Sequence, residues 1–147
     1  LKTLEAAVRM EEQSYALYTM AQGRVDYSSS KRMLAELAEE ELKHKEKLLA
    51  VMKNKKAVAD LGSQMRIEDL GIVDSMRDAT LSEDADYQRI LVFAAKREKA
   101  THDYYNYLAR DLEGTEVGNL FSKLAQEEMI HKNKLEKEYE EYLLKEN

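Results

Sequence analysis

The chain has 147 residues, with 23 Lys and Arg against 29 Asp and Glu, a net charge of −6 and a sequence pI near 5.2. Such an acidic chain offers no general electrostatic attraction to nucleic acid or anionic lipid, and the absence of cysteine excludes disulfides, thiolate metal sites and cysteine nucleophiles. No proline and only five glycines leave little for turns, while Leu, Ala, Glu, Lys and Met favour helix, so a single all-α domain over 1–147 is expected, long enough to bury a core.

The spacing predicts a first helix over about 1–26, with Leu4, Ala7, Glu11, Ser14, Tyr18, Ala21 and Val25 along one stripe. A second is expected over about 30–54, capped from Ser28–Ser30, with Leu34, Leu37, Glu41, His44, Leu48 and Val51 on its stripe. Lys53, Lys55 and Lys56 read as cations complementing the end of that helix dipole. A crossover over 55–83 follows, with Gly62, Gly71 and a short helix predicted near Ile72–Arg77. The third long helix is expected over about 84–111, capped by Ser82 or Asp84, with Leu91, Ala94, Glu98, Thr101, Tyr105 and Leu108 in phase. The fourth, over about 115–145, opens after Gly114-Thr115 and aligns Leu120, Leu124, Glu128, His131, Leu135 and Tyr142. Short links around Tyr27 and Gly114 make antiparallel neighbours. Two helical hairpins joined by one long crossover form the ferritin-like version of a four-helix bundle.

The two hairpins repeat in register. A shift of 87 positions (98 − 11) carries Glu11 onto Glu98, Glu41 onto Glu128 and His44 onto His131. It also overlays Leu4 on Leu91, Tyr18 on Tyr105, Leu37 on Leu124, Glu40 on Glu127 and Leu48 on Leu135. Matched glutamates alone mean little in so Glu-rich a chain, but two ExxH motifs using two of only three histidines are a rarer coincidence. Each matched glutamate interrupts an apolar stripe, where a carboxylate costs several kcal/mol, of order 3–5, unless paired or bound to metal. Four facing carboxylates either take up protons or demand cations, and two divalent ions balance their charge.

Glu and His at i and i+3 share a helix face, so both reach a centre between helices. One Glu from each of two helices and ExxH from each of the other two make the ligand set of two-metal carboxylate bundles. The predicted metal ligands are Glu11, Glu41, His44, Glu98, Glu128 and His131. Mixed oxygen and imidazole ligation suits iron or manganese; zinc would bind without redox chemistry. Glu12 competes with Glu11, and helical phase and the repeat favour Glu11. Tyr18 and Tyr105, two turns beyond the lone glutamates, read either as core aromatics or as hydroxyls donating to a ligand carboxylate. His102, one turn past Glu98, either supplements the site or is an ordinary surface or core histidine. Glu40 and Glu127 read as surface charges whose spacing permits an orienting role toward the histidines, and the seven methionines read as core filler.

The stretches AVRMEEQSYALY, LAEEELKH, AAKREKATHDYY and LFSKLAQEEMIH resemble, in order, the four ligand segments of the rubrerythrin-type, ferritin-like family. The resemblance implies two iron ions, with Glu11 and Glu98 as terminal ligands, Glu41 and Glu128 bridging, and His44 and His131 capping one metal each. It also implies reduction of peroxide or dioxygen, an external electron donor such as rubredoxin, and a homodimer. Rubrerythrins tend to carry a four-cysteine rubredoxin domain and a further glutamate three residues after the third-helix ligand; this sequence has no cysteine and holds Thr101 at that position. An iron-oxidising or iron-handling role without substrate turnover is the alternative. No apolar run approaches the roughly 18 residues of a membrane helix and no signal-peptide pattern opens the sequence, so no membrane association and a cytoplasmic location are expected.

Overall fold

The fold was analysed in a computed structural model that describes residues 2–64 and 81–146. Helix α1 (Lys2–Ala21) ends in a 3-10 turn, Gln22–Arg24, and α2 (Ser28–Met52) returns beside it. A ten-residue helix, α3 (Lys55–Gln64), begins the crossover; α4 (Tyr87–Asp111) and α5 (Glu116–Glu146) form the second hairpin. Packing is closest within the hairpins, α1 on α2 and α4 on α5, with α3 against α2 and α5. The result is an all-α, ferritin-like bundle. The helix expected near Ile72–Arg77 lies outside the described residues. Among the described residues no helix is long and apolar enough to cross a membrane.

The helix ends use different chemistry from that expected. Tyr27, in extended conformation, stands at the α2 cap without a side-chain capping bond, its hydroxyl donating instead to Glu146 at 2.8 Å, and Ser28–Ser30 form the first helical turn. Ser82 and Asp84 bond to each other in the preceding turn, and Asp86 caps α4 by accepting from the Arg89 amide at 2.9 Å. That cap sets the phase burying Tyr87, Ile90, Leu91 and Ala94. Asn54 accepts from the Lys56 and Ala57 amides at 3.1 and 3.2 Å and so starts α3 inside the predicted crossover. Lys53 does end α2, but Lys55 and Lys56 sit exposed in the first turn of α3, the unfavourable end of its dipole, where solvent screens the cost. Arg24 donates to the Ala85 carbonyl at 2.8 Å and to that of Glu83, tying the first hairpin turn to the approach to α4.

The stripes of α1, α2 and α4 are buried along the predicted lengths. In the 31-residue α5 the buried face keeps steps of four and three through Val117, Phe121, Leu124, Glu128, His131, Leu135 and Glu138, so Leu120, reached from Glu128 by two steps of four, lies off it and is partly exposed, and Tyr142 is half-buried. At about 100° per residue, two successive steps of four turn a side chain roughly 80° from the face that alternating steps of four and three maintain. Met10 is core, whereas Met20 is 37% exposed, so the methionines are not uniformly filler.

Two apolar clusters fill the bundle at opposite ends. One gathers Leu4, Leu48, Tyr105, Leu108, Phe121 and Leu124; the other Tyr18, Leu34, Leu37, Tyr87, Ile90 and Leu91. At the second hairpin's turn, Gly114 has φ +85°, a conformation glycine adopts without strain. The Thr115 hydroxyl accepts from the Gly118 amide at 3.0 Å. A Cβ on Gly118 would meet the Leu112 carbonyl oxygen at 2.2 Å, and backbone cannot swing aside as a flexible side chain can. Gly118→Ala should therefore destabilise the fold by about 1–3 kcal/mol despite alanine's better helix propensity. Chemical denaturation checks this; an unchanged or raised midpoint would contradict the packing.

Candidate metal centre

Between the apolar clusters lies a polar layer. Glu11, Glu41, His44, Glu98, Glu128 and His131 come from the middles of α1, α2, α4 and α5, and each is at most 2% exposed. Their helices bring them together for the reason visible in the sequence: each occupies the core-facing phase of an otherwise apolar stripe. They form two overlapping groups, Glu11, Glu41, His44 and Glu128, and Glu41, Glu98, Glu128 and His131, each with one ligand atom per residue within 4.8 Å of the others. Glu41 and Glu128 belong to both.

The geometry follows the internal repeat. His44 Nδ1 lies 2.8 Å from Glu128 Oε1, 3.4 Å from Glu11 Oε2 and 3.5 Å from Glu41 Oε1. His131 Nδ1 lies 3.0 Å from Glu41 Oε1, 3.6 Å from Glu128 Oε1 and 3.9 Å from Glu98 Oε2. The two imidazoles stack 5.6 Å apart and 9° from parallel. Exchanging the hairpins by the 87-residue shift turns one set of partners into the other.

Both tyrosines donate to a carboxylate of the opposite hairpin: Tyr105 to Glu11 Oε1 at 2.8 Å, and Tyr18 to Glu98 Oε1. They are core aromatics and hydroxyl donors at once, so the two readings do not compete. Burial, with the Glu98 carboxylate beside Tyr18 and that of Glu11 beside Tyr105, raises both phenols well above their ordinary range, which keeps them protonated donors. The outer nitrogens of the histidines also cross the bundle. His44 Nε2 is 2.6 Å from Glu127 Oε2, and His131 Nε2 bonds Glu40. Glu40 and Glu127 are therefore not merely surface charges, and each meets the histidine of the other helix rather than the one four residues along its own.

The remaining candidates fall outside. Glu12 is on the exposed side of α1 in an ion pair with Lys45 at 2.8 Å. His102 donates from Nδ1 to the Ala125 carbonyl at 2.8 Å and accepts from Asn106, joining α4 to α5 away from the cluster. Thr101 is buried in the interior one turn from Glu98, as Ser14, its counterpart in the repeat, is one turn from Glu11. Glu12→Ala should leave metal stoichiometry unchanged and shift stability by less than about 1 kcal/mol, as usual for an exposed pair. Metal analysis of that variant checks the register of α1, and metal loss would show it to be wrong.

Without cations the layer is electrostatically costly. Burial first, then the Glu98 and Glu11 carboxylates, holds Glu41 well above the ordinary carboxylate range. Burial and the Glu41, Glu98 and Glu11 carboxylates do the same for Glu128. Burial alone would lower His44, but the neighbouring Glu11 and Glu41 outweigh it and the net shift is upward. Among the described residues, every buried side-chain polar atom without a hydrogen bond, Ser30 Oγ apart, belongs to the six residues: Glu11 Oε2, Glu98 Oε2, both oxygens of Glu41 and Glu128, and Nδ1 of both histidines. Buried polar groups are normally satisfied, and these are the oxygen and imidazole donors that divalent metals take. The residues fit bound divalent cations.

Two hairpins presenting a lone Glu from α1 and α4 and ExxH from α2 and α5 define a ferritin-like carboxylate bundle able to hold metal. The sequence model of the rubrerythrin family matches residues 2–69 and 89–147, and the chain belongs to that family. No curated protein and no solved structure matches it significantly.

Proposed function

We propose that the chain is a di-iron oxidoreductase that reduces hydrogen peroxide or dioxygen with electrons from an external, rubredoxin-type protein. The observation that carries this reading is the set of unpartnered donor atoms converging from four helices on one layer that apolar side chains close at both ends. Family membership favours iron over manganese or zinc. Glu11, Glu41, His44 and Glu128 would hold one ion, and Glu98, Glu41, Glu128 and His131 the other. Bound iron would supply one-electron redox chemistry. Reducing one peroxide to two waters consumes two electrons and two protons. The chain's own part is to hold the ligands, keep bulk water out through the apolar clusters, and fix Glu11 and Glu98 from the tyrosines while leaving their Oε2 atoms free. A homodimer in the cytoplasm is part of the proposal; it rests on the pairing common among such bundles and on the lack of cysteine.

A second reading, iron oxidation and handling without another substrate, is favoured by Thr101. A hydroxyl side chain is buried where the family tends to hold a further carboxylate, and Ser14 repeats this on the other hairpin. Anaerobic loading with ferrous iron, followed by rapid mixing with peroxide or, separately, dioxygen, tests both. Catalytic peroxide loss with a supplied reductant supports the enzyme. One stoichiometric oxidation followed by iron release or mineral growth supports handling. Failure to bind about two ions per chain would overturn both.

A further inference from the structure

We infer that Glu40 and Glu127 are positioning residues that work across the bundle, each holding the imidazole of the opposite ExxH helix with Nδ1 bare toward the metal position. The inference rests on the two-metal reading of the site. A neutral imidazole carries one N–H, and an ionised carboxylate only accepts. Nδ1, turned to the donor layer, is the nitrogen whose lone pair a cation would need, so the contacts of Glu127 with His44 Nε2 and of Glu40 with His131 Nε2 assign the proton to Nε2 in both rings. The lone pair is left on Nδ1, the nitrogen that lacks a hydrogen-bond partner in each histidine and faces the carboxylates.

Crossing between helices follows from how the rings lie. Each histidine leaves the core-facing side of its helix toward the centre, so its outer edge emerges in the seam between α2 and α5. There the facing helix, not its own, supplies the nearest carboxylate. The seam is a cavity of about 320 Å³ lined by both glutamates, both histidines, Lys43, Lys47 and Ile130. Glu40 and Glu127 are only half-buried there, so their outer sides stay hydrated while they bond inward. The same contact occurs twice under the 87-residue shift, which an incidental surface contact would have no reason to do. A consequence is sharp: Glu127 serves the group containing His44, and Glu40 the group containing His131.

The test uses the full chain with 15N-labelled histidine. In metal-free protein, long-range 15N–1H spectra should show both His44 and His131 as Nε2–H tautomers. Glu127→Ala should shift His44 to a tautomer mixture and leave His131 unchanged; Glu40→Ala should do the reverse. Glu127→Gln and Glu40→Gln retain a carbonyl oxygen that accepts from Nε2–H and should restore the tautomer. In Co2+ titrations followed by visible absorption, each alanine variant should weaken one of the two positions by roughly 10–100-fold and spare the other. Perturbation of the histidine on the mutated helix, equal perturbation of both, or no change in either would overturn the inference. If the parent protein binds no Co2+, the two-metal reading fails, while the tautomers still decide whether the glutamates position the rings.

Discussion

If the centre holds the two ions proposed, Glu128→Ala, or equally Glu41→Ala, should remove both at once, taking the protein from about two ions per chain to near none. The two donor groups overlap at these residues alone, so either deletion damages both. Charge reinforces the geometry. Two divalent cations balance four carboxylates; with three, the second cation is left partly uncompensated in a dry interior. Glu11→Ala or His44→Ala touches only one group and should leave about one ion bound. Metal analysis after gel filtration, with Co2+ absorption as a second readout, separates these outcomes, and two ions retained by Glu128→Ala would refute a shared site. Neutralising the same residue, as Glu128→Gln, should act oppositely on the metal-free protein. It removes a buried carboxylate whose oxygens both lack partners, so metal-free Glu128→Gln should melt above the metal-free parent. A ligand that binding requires and the empty fold is better without is the signature of a functional rather than a structural residue.

Stripped of metal, the protein should lose stability as pH rises. Unfolded glutamates ionise near 4.5, whereas folded Glu41 and Glu128 keep their protons to higher pH. Below 4.5 both states are protonated and these groups add no penalty. Above it the unfolded chain sheds protons that the folded state retains, so stability falls until the raised folded values are passed. His44, raised above 6.5, acts in the same direction: its contribution is present below 6.5 and lost as pH climbs through the folded value. Each unit of upward shift corresponds to about 1.4 kcal/mol per group. Metal reverses the slope, because ligation replaces protons and strengthens as they leave. Melting curves over roughly pH 5–8, with chelator and with excess Mn2+ or Co2+, should diverge toward high pH. Subtracting the Glu41→Gln/Glu128→Gln double variant isolates the site from other carboxylates, and parallel curves for parent and double variant would refute the claim.

The helical phase of the six ligands was legible because burial and function coincide at them: a glutamate in an apolar stripe, seen twice at one spacing, states both its location and its problem. Periodicity likewise separates Glu11 from Glu12, which the structure puts on opposite sides of α1. Helix ends were less legible. Serines, aspartates and asparagine compete for each cap, and tertiary packing of Tyr87 and Ile90 selected Asp86 over Ser82 or Asp84. α3 escaped notice because one Asn54 side chain both stops reading as helix and starts a new one. The partners of Glu40 and Glu127 were out of reach of a single-helix argument. Spacing of four marks a neighbour on the same helix, whereas the contact made belongs to a seam between α2 and α5.

The exchange of hairpins that leaves every pairing in the layer unchanged has a further meaning. Each hairpin supplies one lone glutamate, one ExxH, one tyrosine for the other's glutamate and one carboxylate for the other's histidine. Neither completes any of these contacts alone. The centre therefore has the form of an isologous interface, the self-complementary contact by which two identical subunits pair, with both sides carried on one chain. The crossover serves as its tether, because joining the hairpins covalently makes a bimolecular encounter intramolecular. Pairing of the halves is then independent of protein concentration.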